Sequence, residues 1–136
     1  MRNGLYADYL KKVYQVSDID GDKIRLVSKD KNDKELGFKL KVYPDFYKEK
    51  ENLPRLYIKE VIKKDLNDLF ELSTLAIYKN NKFEFISKSK DRVLLGTTDA
   101  ALANKLKFDR TDKYYYEKWV SIEDVELFEE KTEINL

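Results

Sequence analysis

Asp18, Asp20 and Asp22 stand at alternate positions around Gly21 in the stretch Asp18-Ile-Asp-Gly-Asp22. Alternate carboxylates beside a glycine are what a calcium loop begins with. Such a loop also needs Gly at its sixth position and a bidentate Glu at its twelfth. Counted from Asp18, those positions hold Lys23 and Lys29, so a cation replaces both the turn residue and the anchoring ligand. The flanks alternate as strands do: Tyr14 and Val16 share one face, and Ile24, Leu26 and Ser28 share one face of the run that follows. Asp20-Gly21 between two alternating runs is a hairpin signal, because Gly readily takes the positive φ such turns require. The expectation is a hairpin tip and no metal site.

Two further stretches suggest chemistry. Leu94 to Leu102, "LLGTTDAAL", reads as strand, Gly96, then helix start, where free N–H groups can hold an anion. A single Gly is far from a phosphate-cradling loop, and Val27 occupies the matching place earlier in the chain, so strand-to-helix punctuation accounts for it. Asp112 to Val120, "DKYYYEKWV", interleaves aromatics with charges as stacking platforms for single-stranded nucleic acid do. In a strand Tyr115 and Trp119 share one face and Tyr114 and Tyr116 the other, an arrangement that core packing explains first. Tyr114 and Tyr116 join the candidates for partner contact. The chain has no His and no Cys, which removes the commonest general base, the commonest metal ligand and any thiolate site. No local pattern marks a Ser nucleophile or a catalytic carboxylate pair. A non-enzymatic protein without a cofactor is expected.

The elements that carry these residues recur within the chain. Shifted by 69 positions, Ala7 to Ser28 lies over Ala76 to Thr97 without a gap. Ala7, Tyr9, Tyr14, Val16, Ile24 and Leu26 then meet Ala76, Tyr78, Phe83, Phe85, Val93 and Leu95. Asp18 and Asp20 meet Ser87 and Ser89, as a polar turn allows and a ligand set does not. Further on, Thr98 or Asp99 can cap a short helix bearing Leu102 and Leu106, whereas the matching "KDKNDKEL" reads as a turn with one helical turn at most. The ends match at a shift of 58, which lays Val61-Ile62 over Trp119-Val120 and Leu69-Phe70 over Leu127-Phe128. Five short strands per copy suit a small, bent antiparallel sheet. The expected fold is mainly β, two tandem SH3-like barrels with one short helix, at 1–72 and 73–136; a single β-sandwich of the same strands is the alternative.

The change of shift leaves the first copy about twelve residues longer, within 41–54, "KVYPDFYKEKENLP", which holds both prolines. Tyr43, Asp45, Phe46, Tyr47, Glu49 and Glu51 lie there, on a loop whose aromatics no strand pattern buries. Aromatics on a loop over a rigid scaffold form many protein-binding surfaces. The same aromatics could instead lid the open end of the first barrel.

Composition sets the remaining bounds. A chain of 136 residues suits one domain or two very small ones. Ten Tyr and seven Phe argue against disorder. A net charge of +1 gives no bulk drive toward nucleic acid or an anionic membrane. No apolar run approaches the ~18 residues of a membrane span, and none follows the first four residues as in a secretory signal. A cytoplasmic protein without membrane contact is expected.

The stretches "NGLYADYLKKVYQVS", "DKIRLVSKD" and "FDRTDKYYYEKWVSIEDVELFEE" resemble small, Lys/Glu/Tyr-rich SH3-like-repeat proteins of Gram-positive bacteria, of the immunity-protein type found in polymorphic toxin systems. That resemblance implies a stoichiometric inhibitor that binds a toxin domain. Binding of nucleic acid by an SH3-like protein is the rival expectation.

Overall fold

The computed structural model describes residues 2–136, and among them the chain is mainly β with antiparallel pairing. It divides into two compact units. The first comprises Gly4–Leu72 together with Lys131–Leu136, and the second comprises Ser73–Glu130 together with Arg2 and Asn3.

In the first unit, β1 (Gly4–Tyr9), β2 (Lys12–Asp20) and β3 (Lys23–Ser28) form a meander. A 3-10 helix, Lys31–Leu36, leads to the short β4 (Lys39–Leu40) and then β5 (Tyr57–Ile62). A 3-10 turn, Lys63–Asp65, precedes β6 (Asp68–Tyr78), whose residues up to Leu72 belong here. The hydrogen-bonded order is open, β4-β5-β3-β2-β1-β6.

The second unit presents the same order of elements. The rest of β6 is followed by β7 (Asn81–Ser89), β8 (Arg92–Thr97), helix α1 (Ala100–Lys105), β9 (Asp109–Asp112) and β10 (Tyr115–Ser121). A 3-10 turn, Ile122–Asp124, precedes β11 (Val125–Glu133), which pairs with β6 as β6 pairs with β1.

The Asp20-Gly21 hairpin forms as its sequence requires. In the register Asp20 stands opposite Lys23 and Asp18 opposite Arg25, so a basic residue lies across the hairpin from each. Each unit carries a bulge at the same place, between Val16 and Asp18 and between Phe85 and Ser87. The turns before these strands, Leu10-Lys11 and Lys79-Asn80, have positive φ at both residues, the geometry whose twist matches that of the flanking strands.

The inward faces fill two separate cores. In the first, Ala7, Tyr14, Ile24 and Leu26 are buried with Phe38 and Val61; in the second, Ala76, Phe83, Val93 and Leu95 are buried with Phe108 and Val120. The ring of Tyr14 stacks on Phe38 at 4.9 Å, and that of Phe83 on Phe108 at 4.8 Å. Such pairs add about 0.5–1.5 kcal/mol to the burial itself.

One expected alignment is off by a residue. Ile24 pairs with Val61 and Val93 pairs with Val120, so β5 and β10 correspond at a spacing of 59, not 58, and Tyr57 matches Tyr116. The reason is Lys59. Its Nζ donates to the Leu36 carbonyl at 2.6 Å and to Tyr9 Oη at 2.7 Å. Lys118 Nζ repeats this on the Leu106 carbonyl at 2.8 Å and Tyr78 Oη at 3.5 Å. An alignment driven by apolar residues alone passes over this matched pair of lysines.

A left-handed conformation at a residue with a side chain costs about 1–2 kcal/mol. Replacing Leu10-Lys11 by Asn-Gly should therefore raise stability by about 1 kcal/mol in urea unfolding. An unchanged or lower midpoint would show that this turn is not strained.

Candidate partner-binding surface

In the second unit β9 reaches β10 through Lys113 and Tyr114 alone, whereas in the first unit the connection from β4 to β5 runs from Lys41 to Leu56. The spacing of corresponding residues falls from 70 at Lys39 and Asp109 to 59 at Ile58 and Glu117, so the first unit holds eleven additional residues here. The loop is closed at its neck, where Lys41 N donates to the Leu56 carbonyl at 2.7 Å. Tyr43 Oη donates to the Pro54 carbonyl at 2.7 Å, which joins the two proline-bearing arms. At the tip Tyr47 N donates to the Pro44 carbonyl at 3.1 Å, Lys50 pairs with Asp45 at 2.5 Å, and Glu49 takes φ 54° before a 3-10 turn at Lys50–Asn52.

These bonds assemble an aromatic cluster. The Tyr43 and Tyr47 rings lie 6.0 Å apart, and Phe46 meets Tyr47 edge-on at 5.1 Å. Lys41 Nζ lies 5.0 Å above the Tyr43 ring. Phe46 is 82% exposed and Val42 87% exposed, so neither enters the core of the first unit. Glu49 and Glu51 are exposed on the same loop.

The remaining two candidates belong to the second unit. Tyr114 is 71% exposed with Lys113 Nζ 5.3 Å from its ring, whereas Tyr116 is half-buried and packs against the second core. Tyr116 is therefore a packing residue of its unit, the counterpart of buried Tyr57.

Gly96 has a role that the sequence reading passed over. A Cβ there would overlap the Tyr115 hydroxyl and come within 2.7 Å of Ile86 Cδ1. The Tyr115 ring thus crosses the outer face of the sheet over Gly96, and its hydroxyl bonds the Glu84 carboxylate. Burial, with Glu84 beside it, raises the Tyr115 pKa. The signal was a coupled exchange: the first unit has Val27 and Leu56 where the second has Gly96 and Tyr115.

A second unexpected group lies under the 3-10 helix of the first unit. Asp33 is buried, and its Oδ2 accepts from Ser28 Oγ at 2.5 Å and from Lys12 Nζ at 3.0 Å. Burial raises the Asp33 pKa, but the Ser28 and Lys12 hydrogen bonds outweigh it and hold the carboxyl below its usual range. Tyr14, buried beside this carboxylate, is pushed up to about 12. The second unit has Asn81, Phe83 and Ala103 at the places of Lys12, Tyr14 and Asp33, so a polar trio in one unit stands against a largely apolar one in the other. Among the described residues no group of three or more Asp or Glu is gathered to hold a metal ion, and no helix is long and apolar enough to cross a membrane.

These features define a mainly β chain of two similarly ordered units, one of which displays an ordered aromatic loop. The chain belongs to the family described as "Uncharacterised conserved protein UCP033725", whose model matches residues 1–136. No curated protein and no solved structure matches it.

Phe46→Ala should change stability by less than about 0.5 kcal/mol, as at an exposed position. Phe38→Ala should cost about 3–5 kcal/mol, as for a buried Phe. Thermal melts of the two variants check this, and a large loss in Phe46→Ala would make the loop part of the core. Because the folded pKa of Asp33 is depressed, its contribution is complete above the unfolded value of about 3.9 and is lost as pH falls through the folded one. Urea midpoints measured from pH 6 downward should therefore decline less steeply in Asp33→Asn than in the parent chain.

Proposed function

We infer that the protein is a non-enzymatic module that binds another protein through the 41–54 loop, and that it acts as an immunity protein by occupying a toxin domain. The exposed Phe46 and Val42 on a loop held at its neck and tip carry this reading. Exposed apolar side chains on a pre-ordered loop forgo burial worth about 1.5–3 kcal/mol each, which a partner surface can recover. Ordering before binding lowers the entropy that association must overcome. The toxin assignment rests on the resemblance of the three quoted stretches to immunity proteins, and it goes with a cytoplasmic site of action. The finer fold goes with it: each unit is read as an SH3-like element of one duplicated pattern. A 3-10 turn before the last strand, and return of that strand to the first, support this.

Co-expression with the toxic product of an adjacent open reading frame tests the function. The parent chain should restore growth and copurify with that product. Phe46→Ala should weaken the complex by about 1–3 kcal/mol while the protein stays folded. The rival reading is nucleic-acid binding. Micromolar binding of a labelled oligonucleotide that weakens steeply between about 50 and 200 mM salt would favour it and sink the loop reading.

A further inference from the structure

The outer face of the first unit holds a groove of about 330 Å³ at the neck of the aromatic loop. This volume is at the lower end of the ~300–1,000 Å³ that ligand pockets span. Val27, Leu56 and Ile58 provide its apolar surface, and Gln15 and Ser17 provide polar groups. Arg25 and Lys41 also line it, and no carboxylate does. Lys41 and Leu56 are the two ends of the loop's neck, so the groove and the aromatic cluster adjoin.

The second unit shows what fills the corresponding place. Register puts Glu84, Ile86, Gly96 and Tyr115 where the first unit has Gln15, Ser17, Val27 and Leu56. There the chain's own Tyr115 lies over Gly96 beside Ile86, with its hydroxyl on Glu84. Leu56 is too short to make that crossing, and the space a tyrosine ring covers in one unit is an open groove in the other. Val27 stands where Gly96 leaves room, so an entering ring would rest on Val27 and lie between Leu56 and Ile58. Its hydroxyl would then meet Gln15, an amide that can donate or accept, in place of the Glu84 carboxylate.

Charge narrows the occupant further. Arg25 faces Asp18 and Glu60 on the flanking strands, which offset its charge. Lys41 lies over the Tyr43 ring at the exposed rim. A segment entering past Lys41 is favoured if it is acidic. We propose that this groove receives a tyrosine side chain from an acidic segment of the partner protein, so that the loop and groove act as one docking surface. The proposal rests on the reading that the loop binds protein.

The probe is the peptide acetyl-Glu-Glu-Tyr-Glu-Glu-amide, titrated into the full chain labelled with nitrogen-15. Saturable shifts are expected at the amides of Gln15, Ser17, Val27 and Ile58, with a dissociation constant of about 1 mM or tighter. The peptide with Ala for Tyr should give none of them, and the peptide with Lys for Glu should bind about tenfold more weakly. Lys41→Glu, at an exposed site, should weaken the parent peptide by a similar factor. The double variant Val27→Gly with Leu56→Tyr, which supplies the groove with its own plug, should abolish the shifts. The absence of saturable shifts, or shifts indifferent to the tyrosine, overturns the groove. Shifts confined to Phe46 and Tyr47 overturn it while leaving the loop reading intact. Groove shifts that appear on raising protein concentration alone name a second copy as the occupant and overturn the proposal. Failure of the loop reading shows separately, as a Phe46→Ala chain that retains full affinity for the toxic product.

Discussion

A lysine ammonium placed on the last carbonyl of a short helix holds each unit in register. The final turns of a helix leave carbonyls without intrahelical partners, and a short 3-10 or α segment has little else to stabilise it. Lys59 and Lys118 each satisfy one such carbonyl, bond a tyrosine hydroxyl on the unit's first strand, and lie on the second strand after the helix. Three elements distant in sequence thus converge on one charged group, with a hydrogen bond of the stronger, charge-assisted kind. Close after the helix in each unit a Phe stacks on the ring of the second strand, Phe38 on Tyr14 and Phe108 on Phe83.

Much of this was legible because residues of like type recur at a constant spacing in the sequence. Ala7 with Ala76, Ile24 with Val93 and Leu26 with Leu95 keep their spacing, since a buried position on a small sheet tolerates little change of volume. The Asp20-Gly21 tip was legible because a two-residue turn has a narrow residue preference. The register of β5 was not, because its determinant is a lysine, a residue that alternation assigns to solvent. Gly96 was misread for a related reason. Its requirement comes from a tyrosine nineteen positions away, and no local rule encodes that contact. Asp33 is likewise a polar residue inside, tolerated because Ser28 and Lys12 supply its hydrogen bonds. Of the eight candidate surface residues, the six on the loop were recognisable as a group from their excess over the matching stretch. Tyr116 was not separable from Tyr114 without the strand register that half-buries it against the second core.

The two units use their outer faces differently. In the second, Tyr115, Ile86 and Gly96 fit together and Tyr115 ends on Glu84. In the first, a smaller residue at position 56 and a larger one at position 27 leave the surface open, and the extra chain is inserted beside that opening. Loop closure entropy rises only slowly with length, so eleven residues add little destabilisation. The core of the first unit is formed without the loop's aromatics, and change in the loop is therefore decoupled from change in the fold.

The last residues of the chain complete the unit that begins it. Ile134 N donates to the Leu69 carbonyl at 3.0 Å and its side chain packs on the first core, while Lys131 bonds Asp68 at 2.6 Å and lies 4.4 Å from the Phe70 ring. Translation runs in the opposite sense. When Leu72 leaves the ribosome, all strands of the first unit have been made, and these contacts can arrive only after the intervening residues. The first unit therefore cannot acquire its full set of contacts before residues 131–134 have been made, although the rest of it precedes Ser73.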